Sequence, residues 1–319
     1  MDITGPVAER VLRVAAQVGH AAPSIFNTQP WLWHAVDTTL ELRADRSRQL
    51  LVNDPDGRLL TVSCGAALHH ARLALAVMGR SIRVTRLPDV ADPDLLAVIE
   101  LTGERVATTA ERVMYAAISQ RRTDRRAYTA VAVDPSDAYA LVAAAEEAGA
   151  HLHLIREDGV AEFASVAAQA SAIQLADAAY RNELASWVTP VGVPMATVVP
   201  ESPRRVPVRD FAPMGGAELD AGTHSDAGAR YAVVFTDGDG PDDWLRAGEA
   251  LSAVLLTATA TGLATAPISD VTETALTRER MRHLLSGIGQ PQLGLRIGYA
   301  PPGAPPAAPR RRFRDVIES

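Results

Sequence analysis

Residues 22–31 read Ala-Pro-Ser-Ile-Phe-Asn-Thr-Gln-Pro-Trp, which places one hydroxyl (Ser24) and two amides (Asn27, Gln29) between two prolines. Pro23 and Pro30 fix their own φ and push the residue before each towards extended backbone, so the amides ride on a stiff, irregular loop. Polar groups aimed from such a loop suit a flat polar heterocycle; the alternative is a capped turn leading into a strand. About a hundred residues later the chain reads Gln120-Arg121-Arg122-Thr123-Asp124-Arg125-Arg126. Planar guanidinium forks around a threonine hydroxyl match phosphate oxygens, against the alternative of a solvated charged face. A third basic element, Arg310-Arg311-Arg312, follows a proline-rich stretch from Pro301 to Pro309 that should form an extended arm.

Periodicity shows what must position these groups. An amphipathic helix over 7–18 precedes the loop, and strand patterns over 32–36 and 39–44 follow it. An Ala/Leu-rich helix runs from Gly65 to Gly79, and strands are expected over 81–87 and 95–102. Beyond Gly103 the pattern restarts with helices over 110–119 and 136–148, a strand over 151–155, one long helix over 160–187 and a strand over 231–236. A second glycine-bounded helix spans Gly248 to Gly262 and repeats the glycine spacing of the first, with Ala67/Ala250, Leu68/Leu251 and Leu73/Leu256 matching. A strand over 292–299 closes the pattern. The chain therefore divides into an α/β half over 1–107 and another over 108–319. Residues 189–228 carry six prolines and no sustained period, which suits a lid or a surface excursion.

The composition narrows the chemistry. With 319 residues, 47% hydrophobic and 22% charged, the chain can bury a sizeable core. Cys64 is the only cysteine, which excludes internal disulfides, CxxC redox chemistry and cysteine-ligated metal clusters. All 31 basic residues are arginine, so mechanisms needing a lysine Schiff base, a pyridoxal phosphate anchor or a P-loop are excluded. A net charge of -7 disfavours nucleic acid and anionic membrane surfaces as partners. The sequence shows no apolar run of membrane-spanning length and no signal-peptide layout, which points to the cytoplasm. His69-His70 and His151-x-His153 lack carboxylates at metal-ligand spacing. Gly238-x-Gly240 lacks the third glycine of a dinucleotide fingerprint, and no Gly-x-Ser-x-Gly elbow is present.

The loop resembles the Pro-Ser-x-x-Asn-x-Gln-Pro-Trp signature of flavin-dependent nitroreductases, and the arginine string resembles their Arg-Arg-Ser-x-Arg motif. Gly262-Leu263 with Pro267-Ile268 looks like the family's turn at the flavin N5 edge, and Gly298-Tyr299-Ala300-Pro301 like the segment before its last basic residues. Nearly the whole chain is similar to the Acg family, in which two nitroreductase-like halves are fused. The resemblance implies an α+β nitroreductase-like fold with antiparallel-rich sheets, a helical interface including the two glycine-bounded helices, and one FMN per chain. Arg121, Arg122, Thr123, Arg125, Arg310 and Arg312 would bind the phosphate and pyrimidine side. Pro23, Ser24, Asn27 and Gln29 would contact the ring from the other half, with Pro267, Ile268, Ser269 and Asp270 at its N5 edge. NAD(P)H would be the electron donor and a small molecule the acceptor. If residues 189–228 close over the flavin, storage of FMN replaces turnover. Internal pairing of the halves favours a monomer over a homodimer.

Overall fold

The computed structural model describes residues 5–318. Helix α1 (Pro6–Gly19) leads through the proline-amide loop to a hairpin of β1 (Trp31–Val36) and β2 (Thr39–Ala44). Helix α2 (Arg58–Val77), β3 (Arg80–Arg86) and β4 (Leu95–Glu104) follow. Next come α3 (Thr109–Ala117), α4 (Pro135–Glu147), β5 (His151–Leu154), α5 (Val160–Ala176) and α6 (Ala178–Trp187). After the proline-rich segment the chain forms β6 (Arg230–Thr236), α7 (Pro241–Ala260), β7 (Ala264–Ile268), α8 (Ala275–Leu284), β8 (Gln290–Gly298) and the short β9 (Ile317–Glu318).

The strands form two separate sheets, so the protein is α+β. The first has the order β3-β4-β2-β1-β9 and is antiparallel except for the β1/β9 pair. Its strands alternate: Trp31, Trp33, Leu40 and Leu42 face inward and pack against Leu12, Ala15 and Ala16 of α1 and Leu60, Cys64 and Leu68 of α2. The second sheet, β5-β6-β8-β7, is wholly antiparallel. Its central strands are buried on both faces. Ala232, Val234, Leu293 and Leu295 meet α4 and α7, while Tyr231, Val233 and Phe235 meet α5 and α8.

Between the sheets, α2 and α7 pack directly on each other. A Cβ on Gly65 would lie 2.1 Å from the Leu245 carbonyl oxygen, and one on Gly248 would lie 1.9 Å from that of Val62. Only glycine permits this approach. One turn further along each helix, His69 Nδ1 lies 2.8 Å from Ser252 Oγ, across a separation of 183 residues. The same offset relates Gly65 to Gly248 and Val62 to Leu245, so the pair has a local two-fold relation.

Several elements depart from the sequence reading. Helix α2 begins at Arg58, not at Gly65, because the buried Asp54 carboxylate accepts from the Leu59 and Leu60 amides (3.0 and 2.8 Å) and caps the helix start. Gly248 is likewise interior to α7. Both glycines serve the contact and not the boundary. With its full length, α2 is apolar and long enough to cross a membrane, but 89% of its apolar window is buried inside the protein. The expected helix over 160–187 is two, broken at Asp177, whose extended backbone and side-chain bond to the Ala179 amide start α6. Strand β7 falls within residues 262–270, where a strand ending in a turn is the alternative to a flavin-edge turn. Helix α8 and strand β9 have no counterpart in the sequence reading: α8 is too charged to show an apolar face, and β9 is two residues long.

Candidate functional site

The proline-amide loop is strained as well as stiff. Phe26, Asn27 and Gln29 adopt left-handed backbone with φ of 46°, 55° and 50°. For residues with side chains this costs energy, most of all for a bulky one. Surrounding bonds hold them there. Ser24 Oγ accepts from the Gln29 amide (2.9 Å), and the Ile25 amide donates to Ser63 Oγ on α2 (3.1 Å).

Two adjoining cavities open beside this loop, with volumes of about 870 and 900 Å³ counting the solvent at their mouths. Pro23, Ser24, Thr123 and Arg125 line both. Leu59, Val62, Ser63 and Ala66 of α2, Leu251 of α7, and Pro267, Ile268, Ser269 and Asp270 also line the first. Asn27, Arg121, Arg122 and Arg310 belong to the second. Residues distant in sequence meet here because Thr123 bridges to Thr265 of β7 and the Asp124 amide donates to the Thr265 carbonyl (3.0 Å).

The second cavity is cationic without a counterion. Arg121 is buried, and its Nε and one terminal nitrogen have no hydrogen-bond partner. Burial, then the nearby Arg310 and Arg122 charges, push its guanidinium down to about 9, which still leaves a cation at neutral pH. Arg310 is pushed down to about 10 by burial and Arg122, and its Nε is also unpartnered. A buried, unsatisfied guanidinium is costly unless an acceptor completes it. The arrangement suits a phosphate-sized anion.

The first cavity is flatter in charge and partly aromatic. Arg125 lies 4.7 Å over the Phe211 ring and donates to the Thr197 carbonyl (3.2 Å); burial, then Arg209 and Arg296, push it down to about 10. Phe26 meets Phe211 edge-on at 5.5 Å. Arg209 lies 5.0 Å over Phe26, donates to Tyr180 Oη and pairs with the buried Glu273 at 2.5 Å. Burial opposes the Arg209 charge, but Glu273 and Tyr180 outweigh it and raise its pKa. At the cavity wall Asp270 is buried, and desolvation pushes its carboxyl up to about 6 against the pull of Arg209. Residues 189–228 border both cavities, through Val208, Arg209 and Phe211 at the first and Gly192, Val193, Pro194 and Thr197 at the second.

Two residues expected at the site lie elsewhere. Arg312 is displaced from it: its side chain is 70% exposed and pairs with Asp315 at 3.0 Å, because the arm turns outward into β9. Gln29 faces away from both cavities. Its side chain donates to the Asn27 carbonyl (3.1 Å) and accepts from the Arg311 amide (2.7 Å). Asn27 borders the second cavity, but its amide donates to the Gly192 and Pro309 carbonyls (2.8 and 3.0 Å). The sequence reading omitted Phe26, Arg209, Phe211 and the α2 wall. Phe26 lay inside the quoted motif, whereas Arg209 and Phe211 belong to a segment without period.

No family model matches the chain. Over its whole length the chain is similar to a Mycobacterium tuberculosis (strain ATCC 25618 / H37Rv) protein provisionally named NAD(P)H nitroreductase Rv3131, at 40% identity over 326 residues, covering 94% of that protein. A second protein of that strain, provisionally named NAD(P)H nitroreductase acg, is 34% identical over 324 residues, covering 98% of this chain and 96% of its own. Among solved structures, the FMN-dependent nitroreductase NfnB from Mycobacterium smegmatis in complex with NADPH aligns with a TM-score of 0.42 at 16% identity, covering 65% of this chain and 98% of its own. That likeness is too distant to carry ligands across.

Proposed function

The chain belongs to the nitroreductase family that includes acg, and on that premise we propose that it is a flavoprotein holding one FMN per chain, reduced by NAD(P)H and reoxidised by a small-molecule acceptor. The observation that carries this reading is the buried Arg121 guanidinium, left without an acceptor on the second cavity, which adjoins a first cavity wide enough for a ring system. Arg121, Arg122 and Arg310 would hold the phosphate. Thr123 and Arg125 would meet the pyrimidine edge, with Pro23 and Ser24 against the ring from the other half and Ser269 and Asp270 near its reactive edge. FMN, when bound, supplies two-electron redox chemistry. The chain's own residues bind it, exclude water and hold a proton on the Asp270 carboxyl below about pH 6.

One flavin per chain accords with a division into halves at 107/108 that places the loop in one half and the arginines in the other. A monomer in the cytoplasm is the expected state of such an internally paired chain. A second reading, FMN storage, is favoured by one feature: Phe211 and Arg209 lie against the first cavity and are tied to Phe26, Tyr180 and Glu273. If residues 189–228 act as a fixed lid, a nicotinamide ring cannot reach hydride-transfer distance.

Titration of the purified protein with FMN, followed by flavin absorbance, tests the common premise. One equivalent should bind, and Arg121→Ala should lose about tenfold or more in affinity for FMN while riboflavin affinity stays unchanged. A chain that binds no FMN overturns both readings. Anaerobic mixing with NADH and NADPH then separates them: rapid bleaching of the oxidised band supports the reductase, and an inert band supports storage.

A further inference from the structure

We infer that Gln29 is a positioning residue, which registers the C-terminal arm on the proline-amide loop and thereby sets Arg310 opposite Arg121. The inference rests on the reading of the second cavity as a phosphate site.

Arg310 is the one residue of the arm that combines a place on the cavity wall with an unpartnered buried nitrogen. Its position must be imposed, because Arg121 and Arg122 repel it and no carboxylate stands among the three. The arm cannot impose it alone: Pro301 to Pro309 form no regular secondary structure. At its start, Arg126 collects the carbonyls of Pro301, Pro302 and Gly303. That anchor lies seven residues before Arg310, too far along an irregular chain to fix a guanidinium.

Nearer anchors stand on both sides of Arg310. Its guanidinium donates to the Ala21 carbonyl (2.9 Å) and to Asn27 Oδ1 (3.3 Å), and Asn27 Nδ2 donates to the Pro309 carbonyl (3.0 Å). Beyond Arg310 the chain is held by Gln29. It is fully buried, and both ends of its side chain are committed, the amide nitrogen to the Asn27 carbonyl and the oxygen to the Arg311 amide. Its own carbonyl accepts from the Arg311 guanidinium (3.0 Å). Gln29 therefore grips the residue next to Arg310 at two points. Gln29 makes these bonds from left-handed backbone with φ of 50°. His20 completes the clasp. Its Nδ1 accepts from the Trp31 indole (3.0 Å), so Nε2 carries the proton and donates to the Arg311 carbonyl (2.8 Å).

The test uses the full chain and the variant Gln29→Gly, which removes the side chain while relieving the positive φ, so that folding is kept. Affinity for FMN should fall about tenfold and affinity for riboflavin, which lacks the phosphate, by less than about twofold. In an Arg310→Ala background the same substitution should cost nothing further. Trypsin should cut after Arg310 to Arg312 faster in Gln29→Gly than in the parent, and Gln29→Asn should leave the defect in place because its shorter side chain does not span Asn27 and Arg311. Equal losses for FMN and riboflavin, or an undiminished loss in the Arg310→Ala background, overturn the inference. A parent that binds neither flavin overturns the function proposed above. The tryptic rate then decides alone, and an arm no more readily cut in Gln29→Gly sinks the positioning role.

Discussion

Helices α2 and α7 meet across the same two glycines, yet the two sides of their crossing differ. On one side Ala66 and Ser269 line the first cavity, and Leu255 is packed in the core. The offset of 183 residues that relates the helices assigns Ala66 and Leu255 to Glu249 and Arg72 on the other side, and the same count along the sequence from Ser269 reaches Arg86. There Glu249 is fully buried and pairs with both arginines, Arg86 at 2.7 Å. A small neutral residue leaves volume that a ligand can complete; a carboxylate held by two cations completes itself. One backbone arrangement thus gives an open cavity beside Ala66 on one side and a buried ion cluster about Glu249 on the other, and side-chain volume and charge set the difference.

The most severe test of that contrast is Ala66→Glu. It places the residue of the ion-cluster side in the cavity without its two arginines, and FMN affinity should fall roughly a thousandfold or more through excluded volume and an unpaired carboxylate. Flavin bound at stoichiometric levels in this variant would break the comparison.

The converse change, Glu249→Ala, strands Arg72 and Arg86. Urea unfolding should show a loss of about 3 kcal/mol with FMN stoichiometry still one per chain. Two flavins per chain would mean that charge alone had kept flavin from the second side.

Gly248→Ala acts on what the two sides share. Its Cβ would meet the Val62 carbonyl at 1.9 Å, so the helices must separate, and stability should drop by about 2 kcal/mol together with FMN affinity. An unchanged melting temperature would show that the close approach is not required.

The smallest effect concerns His69, which faces Ser252 at the crossing. Burial, then Arg72, pushes its imidazole down to about 3. The unfolded chain takes up that proton near pH 6.5 and the native state does not, so stability falls as pH drops below 6.5. Asp54 and Asp270, whose buried carboxyls are pushed up to about 6, bind protons in the native state and oppose the loss below that pH. Denaturation at pH 6.5 and 5.5 should lose on the order of 1 kcal/mol less in His69→Asn than in the parent; an identical slope would remove His69 from the account.

Much of this was legible because it is local. Strands β1, β2, β3 and β4 alternate or run apolar over short stretches bounded by turn residues, and each fell within two residues of its expected span. The loop and the arginine string announced polar groups on stiff or clustered backbone. Other features escaped for physical reasons. Gly65 and Gly248 read as helix boundaries because glycine usually is one, but here its use is the absent Cβ at a helix contact. Gln29 and Arg312 carry the residue types a site needs. Whether such a group faces a cavity depends on backbone dihedrals and on the direction of a neighbouring segment, and neither is encoded in spacing.

By itself the sequence determined most of the elements, the exclusion of lysine and cysteine-cluster chemistry, and the family. The first two follow from composition and from periods of two and 3.6 residues, which act within one stretch of chain, and the family from short motifs that the chain shares with its relatives. The tertiary structure alone decided that Arg121 lies buried without an acceptor, that the arm returns to pair with β1 and bring Arg310 beside it, and that Glu249 pairs with Arg72 and Arg86 at the far side of the crossing. Each of these is a meeting of segments tens to hundreds of residues apart. Its energy depends on distance and desolvation, which exist only once the chain has folded.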